Sequence, residues 1–195
     1  MLFRKSPAIS WLVVFLGNPG KKYEKSRHNV GFMTAETLAK ELGVKICKLK
    51  FSALTAVCSL GGESALLMMP QTYMNLSGNA VREAANFYKI PPDHILVVSD
   101  DISLPAGTLR IRRSGSSGGH NGLKDIIAKC GSDGFPRIKI GVGIPPNPEY
   151  DTIDWVLGSP KGADAEAVAN AIRTASEAIP IIIEKGAEFA MNRFN

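Results

Sequence analysis

Hydrophobic positions fall into two rhythms along this chain, and the polar residues between them gather into four clusters. The runs WLVVFL at 11–16 and ILVV at 95–98 are apolar throughout, as strands buried on both faces are. Segments 54–60 and 65–69 flank Gly61-Gly62-Glu63-Ser64, which predicts a hairpin. Residues 108–112 alternate as a further strand, and 137–142 form another. Helical spacing takes over elsewhere. A helix is predicted over 30–42, closed by Gly43. Ser77 is expected to cap a second, with Val81, Ala84, Ala85 and Tyr88 at i, i+3, i+4 and i+7, and Pro91-Pro92 stops it. A Gly/Ser loop leads into a third helix over 121–130. The tail from Ala163 reads as helix, with Pro180 expected to break or kink it. Strands alternating with helices imply a mixed sheet covered on both faces. No internal repeat, low-complexity tract or domain boundary interrupts the pattern.

Composition adds limits. A chain of 195 residues, 45% hydrophobic and 21% charged, buries a substantial core without staples and fits one domain. Its 23 basic and 18 acidic residues give a net charge of +5, which permits a polyanionic partner without demanding one. Cys47, Cys58 and Cys130 share no CxxC spacing, and the last two have apolar neighbours. They read as reduced, buried thiols of a cytosolic protein. Arg4-Lys5 ahead of the first apolar run imitates a signal peptide. No small-residue cleavage site follows, however, and GNPG interrupts the run well short of a membrane span. The run is the first strand.

In a sheet covered on both faces, ligands bind beyond the strand ends. Four polar segments leave strands: GNPGKKYEKSRHN (17–29), PQTYMNLSG (70–78), SDDISLPAG (99–107) and SGSSGGHNGLKD (114–125). Each alone has a plain structural use. Asn18 and Asn75 can make turns or caps, Asp100 can cap a turn, and His120-Asn121 can end a glycine-rich loop as a helix cap. His28 alone can be a surface or hydrogen-bonded structural histidine. Together they bring histidine, aspartate and several asparagines to successive strand ends.

Other chemistries fit poorly. The glycine-rich loop has neither GxGxxG nor GxxxxGK[ST], which weakens nucleotide readings. His28, His94 and His120 show no paired ligand spacing, which argues against a metal. No GxSxG elbow supports a serine triad. What remains is a histidine base for water, a carboxylate to fix its tautomer, and amides to hold an oxyanion.

These segments, in this order, resemble the bacterial-type peptidyl-tRNA hydrolase family. GNPGKKYEKSRHNVGF, PQTYMNLSGNAV, GGHNGLKDI, FPRIKIGVG and the later VLG carry the resemblance through almost the whole chain. It implies a monomeric, metal-free, cytoplasmic enzyme without cofactor: one α/β domain over residues 1–195, three-layered α/β/α around a mixed, mostly parallel twisted sheet. The implied reaction splits the ester between a peptide and the 3′ ribose of tRNA, recycling the tRNA. The implied base is His28, kept basic and oriented by Asp100. Asn18 matches the position that separates N-blocked from free aminoacyl ends. Tyr23, Tyr73, Asn75 and Asn121 match positions holding the acceptor end, and Met74 an apolar position beside the cleft.

Three positions depart from the family pattern. Met69 stands where a lysine is common, Ser103 replaces a usual acid, and Ile144 stands where a basic residue is often found. Arg110 and Arg112 share one strand face and, with Lys139, can meet tRNA phosphates; a solvated edge face is the plain alternative. Two rival readings stand beside the enzyme. One is an RNA-binding protein on the same scaffold without hydrolysis, as among organellar splicing factors; the other is a hydrolase of small esters or nucleosides. Asn18, His28, Asn75, Asp100 and Asn121 together argue against the first.

Overall fold

The computed structural model describes residues 8–147 and 149–195, so Arg4 and Lys5 of the signal-like segment lie outside the described residues. Among the described residues seven strands make one sheet: β1 (Trp11–Phe15), β2 (Lys48–Lys50), β3 (Ala53–Leu60), β4 (Glu63–Pro70), β5 (Ile95–Asp101), β6 (Leu109–Arg112) and β7 (Arg137–Gly141). Their spatial order is β2-β3-β4-β1-β5-β7-β6. The central β4, β1, β5 and β7 run parallel, while β3 and β6 oppose their neighbours. With β2 antiparallel to β3, only β3 and β6 point against the rest.

The six α-helices among the described residues are α1 (Val30–Leu42), α2 (Ser77–Tyr88), α3 (Asn121–Cys130), α4 (Thr152–Leu157), α5 (Gly162–Lys185) and α6 (Ala187–Phe194). Val13 and Phe15 of β1 pack with Val30, Ala35 and Leu38 of α1 and with Ala175 and Ile179 of α5. Leu12 and Val14 of the same strand pack against Ala80, Val81 and Ala84 of α2 and Leu123 and Ile126 of α3. Alternate side chains therefore feed two cores, which is why the run is apolar at every position. Gly31 lets the first turn of α1 sit on the strand ends. A Cβ there would lie 2.3 Å from the Leu16 carbonyl oxygen and 2.8 Å from that of Val98.

Several expectations are corrected. Ser77 does not cap α2; it is the helix's first residue, and its buried hydroxyl has no partner. The cap comes from α3 instead, where the Asp125 carboxylate accepts the Gly78 N–H at 2.7 Å. Pro180 does not break the C-terminal helix, since α5 runs continuously through it with Ile179, Ile182 and Ile183 buried on either side. Cys47 is exposed, and Cys58 and Cys130 are half-buried rather than buried; all three are free. Burial pushes the Cys58 thiol up to about 11. Strand β2 and helix α4 had no counterpart in the hydrophobic pattern. No helix among the described residues is long and apolar enough to cross a membrane.

Candidate active site

After β1 the chain makes two single 3₁₀ turns, Lys21–Tyr23 and Arg27–Asn29, before α1 begins. His28 lies in the second, and its two neighbours brace it. The Arg27 guanidinium is buried, donates to the carbonyls of Val142 (3.2 Å) and Trp155 (3.3 Å), and stacks 3.6 Å from the Trp155 ring centre. Desolvation lowers its pKa, with the charge of Asp164 acting in the opposite sense. The Asn29 amide grips the Asn18 backbone from both sides, accepting its N–H at 2.8 Å and donating to its carbonyl at 3.0 Å. Asn18 in turn accepts the Met74 N–H through Oδ1 at 2.9 Å. One loop is thus tied to α4 and to the segment after β4.

Asp100, near the end of β5, is 3% exposed. Its Oδ1 lies 2.8 Å from Nδ1 of His28 and 2.9 Å from Nε2 of His120. His120 is the N-cap of α3, and its Nδ1 accepts the N–H groups of Gly122 and Leu123 at 3.1 and 3.3 Å. That nitrogen must be unprotonated, so the neutral ring carries its hydrogen on Nε2 and donates it to Asp100. By the same logic His28 donates Nδ1–H to the carboxylate. Its Nε2 keeps a lone pair and has no hydrogen-bond partner among the described residues. Burial pushes the Asp100 carboxyl up, but the electrostatic pull of the His120 and His28 imidazoles and the hydrogen bonds they donate outweigh it. The group is held well below the usual carboxylate range.

The ligand atoms of His28, Asp100 and His120 lie within 4.8 Å of one another, a convergence that sequence spacing did not foretell. The arrangement nevertheless suits a hydrogen-bond relay better than a cation. A metal at Asp100 would need a lone pair on Nε2 of His120, which the two backbone donors at Nδ1 deny to a neutral ring.

The predicted substrate residues come together. Asn18, Tyr23, His28, Tyr73, Met74, Asn75 and Asn121 line one cleft of about 360 Å³, closed on another side by Ile153, Val156 and Leu157. Asn75 and Asn121 are exposed, Met74 is buried, and Tyr73 is 59% exposed. A second cleft of about 340 Å³ adjoins on the other side of Val156, with Asp100, His120 and Lys139 in its wall. Arg110 and Arg112 line neither cleft. Met69, one of the departures, lies with Asn18 around a separate hollow of about 220 Å³, and Ile144 is exposed.

His120 is the residue that sequence reasoning undervalued. The glycine-rich loop made it a helix cap, which it is, but one ring nitrogen does that work while the other reaches Asp100. Helix α4, the wall of both clefts, was not anticipated at all.

A histidine with a free ring nitrogen, a buried counter-carboxylate and amides facing the same space are the equipment of a hydrolase that activates water directly. Comparison with known proteins narrows that class. A family model for peptidyl-tRNA hydrolase matches residues 12–195. Peptidyl-tRNA hydrolases of Caldanaerobacter subterraneus and Clostridium novyi are each 47% identical over 185 residues, covering 95% of this chain and 99% and 97% of theirs. The crystal structure of peptidyl-tRNA hydrolase from Acinetobacter baumannii superimposes with a TM-score of 0.89 at 33% identity, covering 98% of this chain and 97% of that one. The chain belongs to the peptidyl-tRNA hydrolase family.

Proposed function

We propose that His28 is the general base with which this family member hydrolyses the ester between a peptide and the 3′ ribose of tRNA. The observation that carries the reading is the 2.8 Å bond from His28 Nδ1 to Asp100, which leaves Nε2 free to take a proton from water. The water oxygen attacks the ester carbonyl as its proton moves to Nε2. Asp100 stabilises the imidazolium, and Nδ2 groups of Asn75 and Asn121 donate to the oxyanion. Loss of one such donor costs roughly 2.7–4 kcal/mol of barrier. Collapse expels the ribose oxygen, which recovers the proton from Nε2. The ribose oxygen of an ester leaves more easily than an amide nitrogen, so no covalent intermediate is needed.

Asn18 gains a reason for its selectivity. Its Oδ1 is held by the Met74 N–H, while Nδ2 has no partner among the described residues and can donate to substrate. A donor suits the carbonyl of an N-blocked end and repels a free ammonium. Tyr23 and Tyr73 offer ring faces to the unpaired acceptor end, Met74 forms an apolar wall, and Arg110, Arg112 and Lys139 meet backbone phosphates. The chain acts as a single domain and a monomer in the cytoplasm, without metal.

The deciding experiment compares turnover of peptidyl-tRNA and of a small ester by the protein and by His28→Ala. Hydrolysis of peptidyl-tRNA alone, abolished in a folded His28→Ala that still binds tRNA, is expected. Near-normal turnover by that variant ends the mechanism. Preference for the small ester ends the substrate assignment.

A further inference from the structure

Strands β6 and β7 place Arg110 opposite Lys139 and Arg112 opposite Arg137. These four cations are not equally free. The buried Arg137 guanidinium is consumed by the carbonyls of Gly115, Ser116, Asp133 and Phe135, and so shapes the glycine-rich loop. Arg110 and Arg112 form no ion pair among the described residues. Arg112 spends one N–H on the carbonyl of Ile111. Lys139 is different again: its ammonium lies 2.6 Å from Oδ2 of Asp101, the two side chains 18% and 10% exposed.

Asp101 cannot follow Lys139 if the lysine moves. Its Oδ1 is fixed by the backbone N–H (2.8 Å) and hydroxyl (2.6 Å) of Ser103. The lysine has a flexible four-carbon stem and an open side, because it lines the cleft of about 340 Å³ beside Ser117 and Gly118. The carboxylate is therefore the fixed half of the pair and the ammonium the mobile half.

We propose that Asp101, held in place by Ser103, is a latch that competes with substrate phosphate for Lys139 and so sets how tightly the tRNA body is gripped. The proposal rests on the reading of Arg110, Arg112 and Lys139 as phosphate contacts. Binding exchanges one anion for another at Lys139, so the lysine contributes less to affinity than an unpaired cation. The same carboxylate repels a phosphate that approaches Arg110 alone. The site is thereby selective for a ligand that brings enough negative charge to displace Asp101, and a peptide ester without the nucleic-acid body does not.

Asp101→Asn tests this, since it keeps the acceptor for Ser103 while removing the charge. On full peptidyl-tRNA its KM should fall about fivefold with kcat unchanged, the scale of one partly exposed ion pair. The slope of log affinity against log salt should steepen by about 0.7–0.9, one more net cation. A minimal substrate lacking the tRNA body should not respond. Lys139→Ala, measured in parallel, should raise KM for the full substrate and cancel most of the benefit of Asp101→Asn. An unchanged or raised KM in Asp101→Asn, or an equal effect on the minimal substrate, overturns the latch. If that happens while Lys139→Ala still weakens the full substrate, the phosphate reading survives without it. If Lys139→Ala changes neither substrate, both fall.

Discussion

The cluster around Asp100 and the basic residues of β6 handle charge in opposite ways. Around Asp100, each polar atom used is committed: one carboxylate oxygen takes two imidazole donors, and the second imidazole is itself pinned by two backbone amides. On β6, Arg110 and Arg112 are half-buried and carry no counter-charge among the described residues. The contrast suits the two tasks proposed for them. A proton acceptor works only if its tautomer and direction are settled before substrate arrives. A cation that grips a phosphate backbone gains by releasing counterions, and it loses that gain if the protein has already neutralised it.

Asp100→Asn attacks the committed side and should have the largest effect of this set. An amide cannot stabilise the imidazolium, so kcat should drop by about 10²–10⁴-fold and the pH–rate profile should change in height and midpoint. A profile matching the parent in both would remove Asp100 from the mechanism. The same variant tests stability. The folded carboxyl is depressed, so its contribution is full above its unfolded value of about 3.9 and is lost as pH falls through the folded one. Below about pH 4 the parent should therefore lose Tm faster than Asp100→Asn. Parallel acid-melting curves would contradict the depression.

His120→Asn sharpens the comparison within the cluster. A short amide can still cap α3 through its oxygen but cannot span to Asp100. Stability should fall by roughly 1.5–3 kcal/mol, the worth of a hydrogen bond to a buried charge, and kcat on the order of tenfold, because Asp100 is then oriented by His28 alone. A loss of Tm without a change in rate would reduce His120 to its capping role.

Arg112→Ala probes the free side. KM for full peptidyl-tRNA should rise a few-fold with kcat little changed and a shallower salt dependence, and a minimal substrate should hardly respond. Equal losses on both substrates would move Arg112 into the catalytic centre or the fold. Chelation should change nothing, given the tautomer that the α3 amides impose on His120. Inactivation by dialysis against chelator, reversed by one metal ion, would refute the relay.

Much of this was legible in the order of the residues. The runs 11–16 and 95–98 are apolar because alternate side chains enter two different cores, and a chain that must do this leaves an unmistakable trace. The polar segments that follow such strands mark where a cleft opens. Three features resisted for physical reasons. Strand β2 is three residues long, and its turn places Phe51 and Ser52 at positive φ, where Asn-Gly would have been the signal. Helix α4 is only six residues, held by Arg27 stacked on Trp155 and by the Trp155 indole bonded to the Gly143 carbonyl. The second use of His120 depends on a contact twenty residues away in sequence, which no local rule reports.

The bond from Asp125 to the start of α2 has a mechanical meaning. Asn75 stands in the turn just before α2, and Asn121 is the first residue of α3. A Cβ on Gly78 would lie 2.4 Å from the backbone oxygen of Asp125, so the two helices touch almost backbone to backbone there. The gap between the two amides is therefore spanned by a rigid strut of helix on helix rather than by loop. It works as the fixed jaw of a caliper: a loop can breathe around the cleft, but the width across those amides changes only if two packed helices slide. Errors in the aim proposed for those amides at the oxyanion are then limited by the stiffness of packed side chains, not by the wandering of the chain between them.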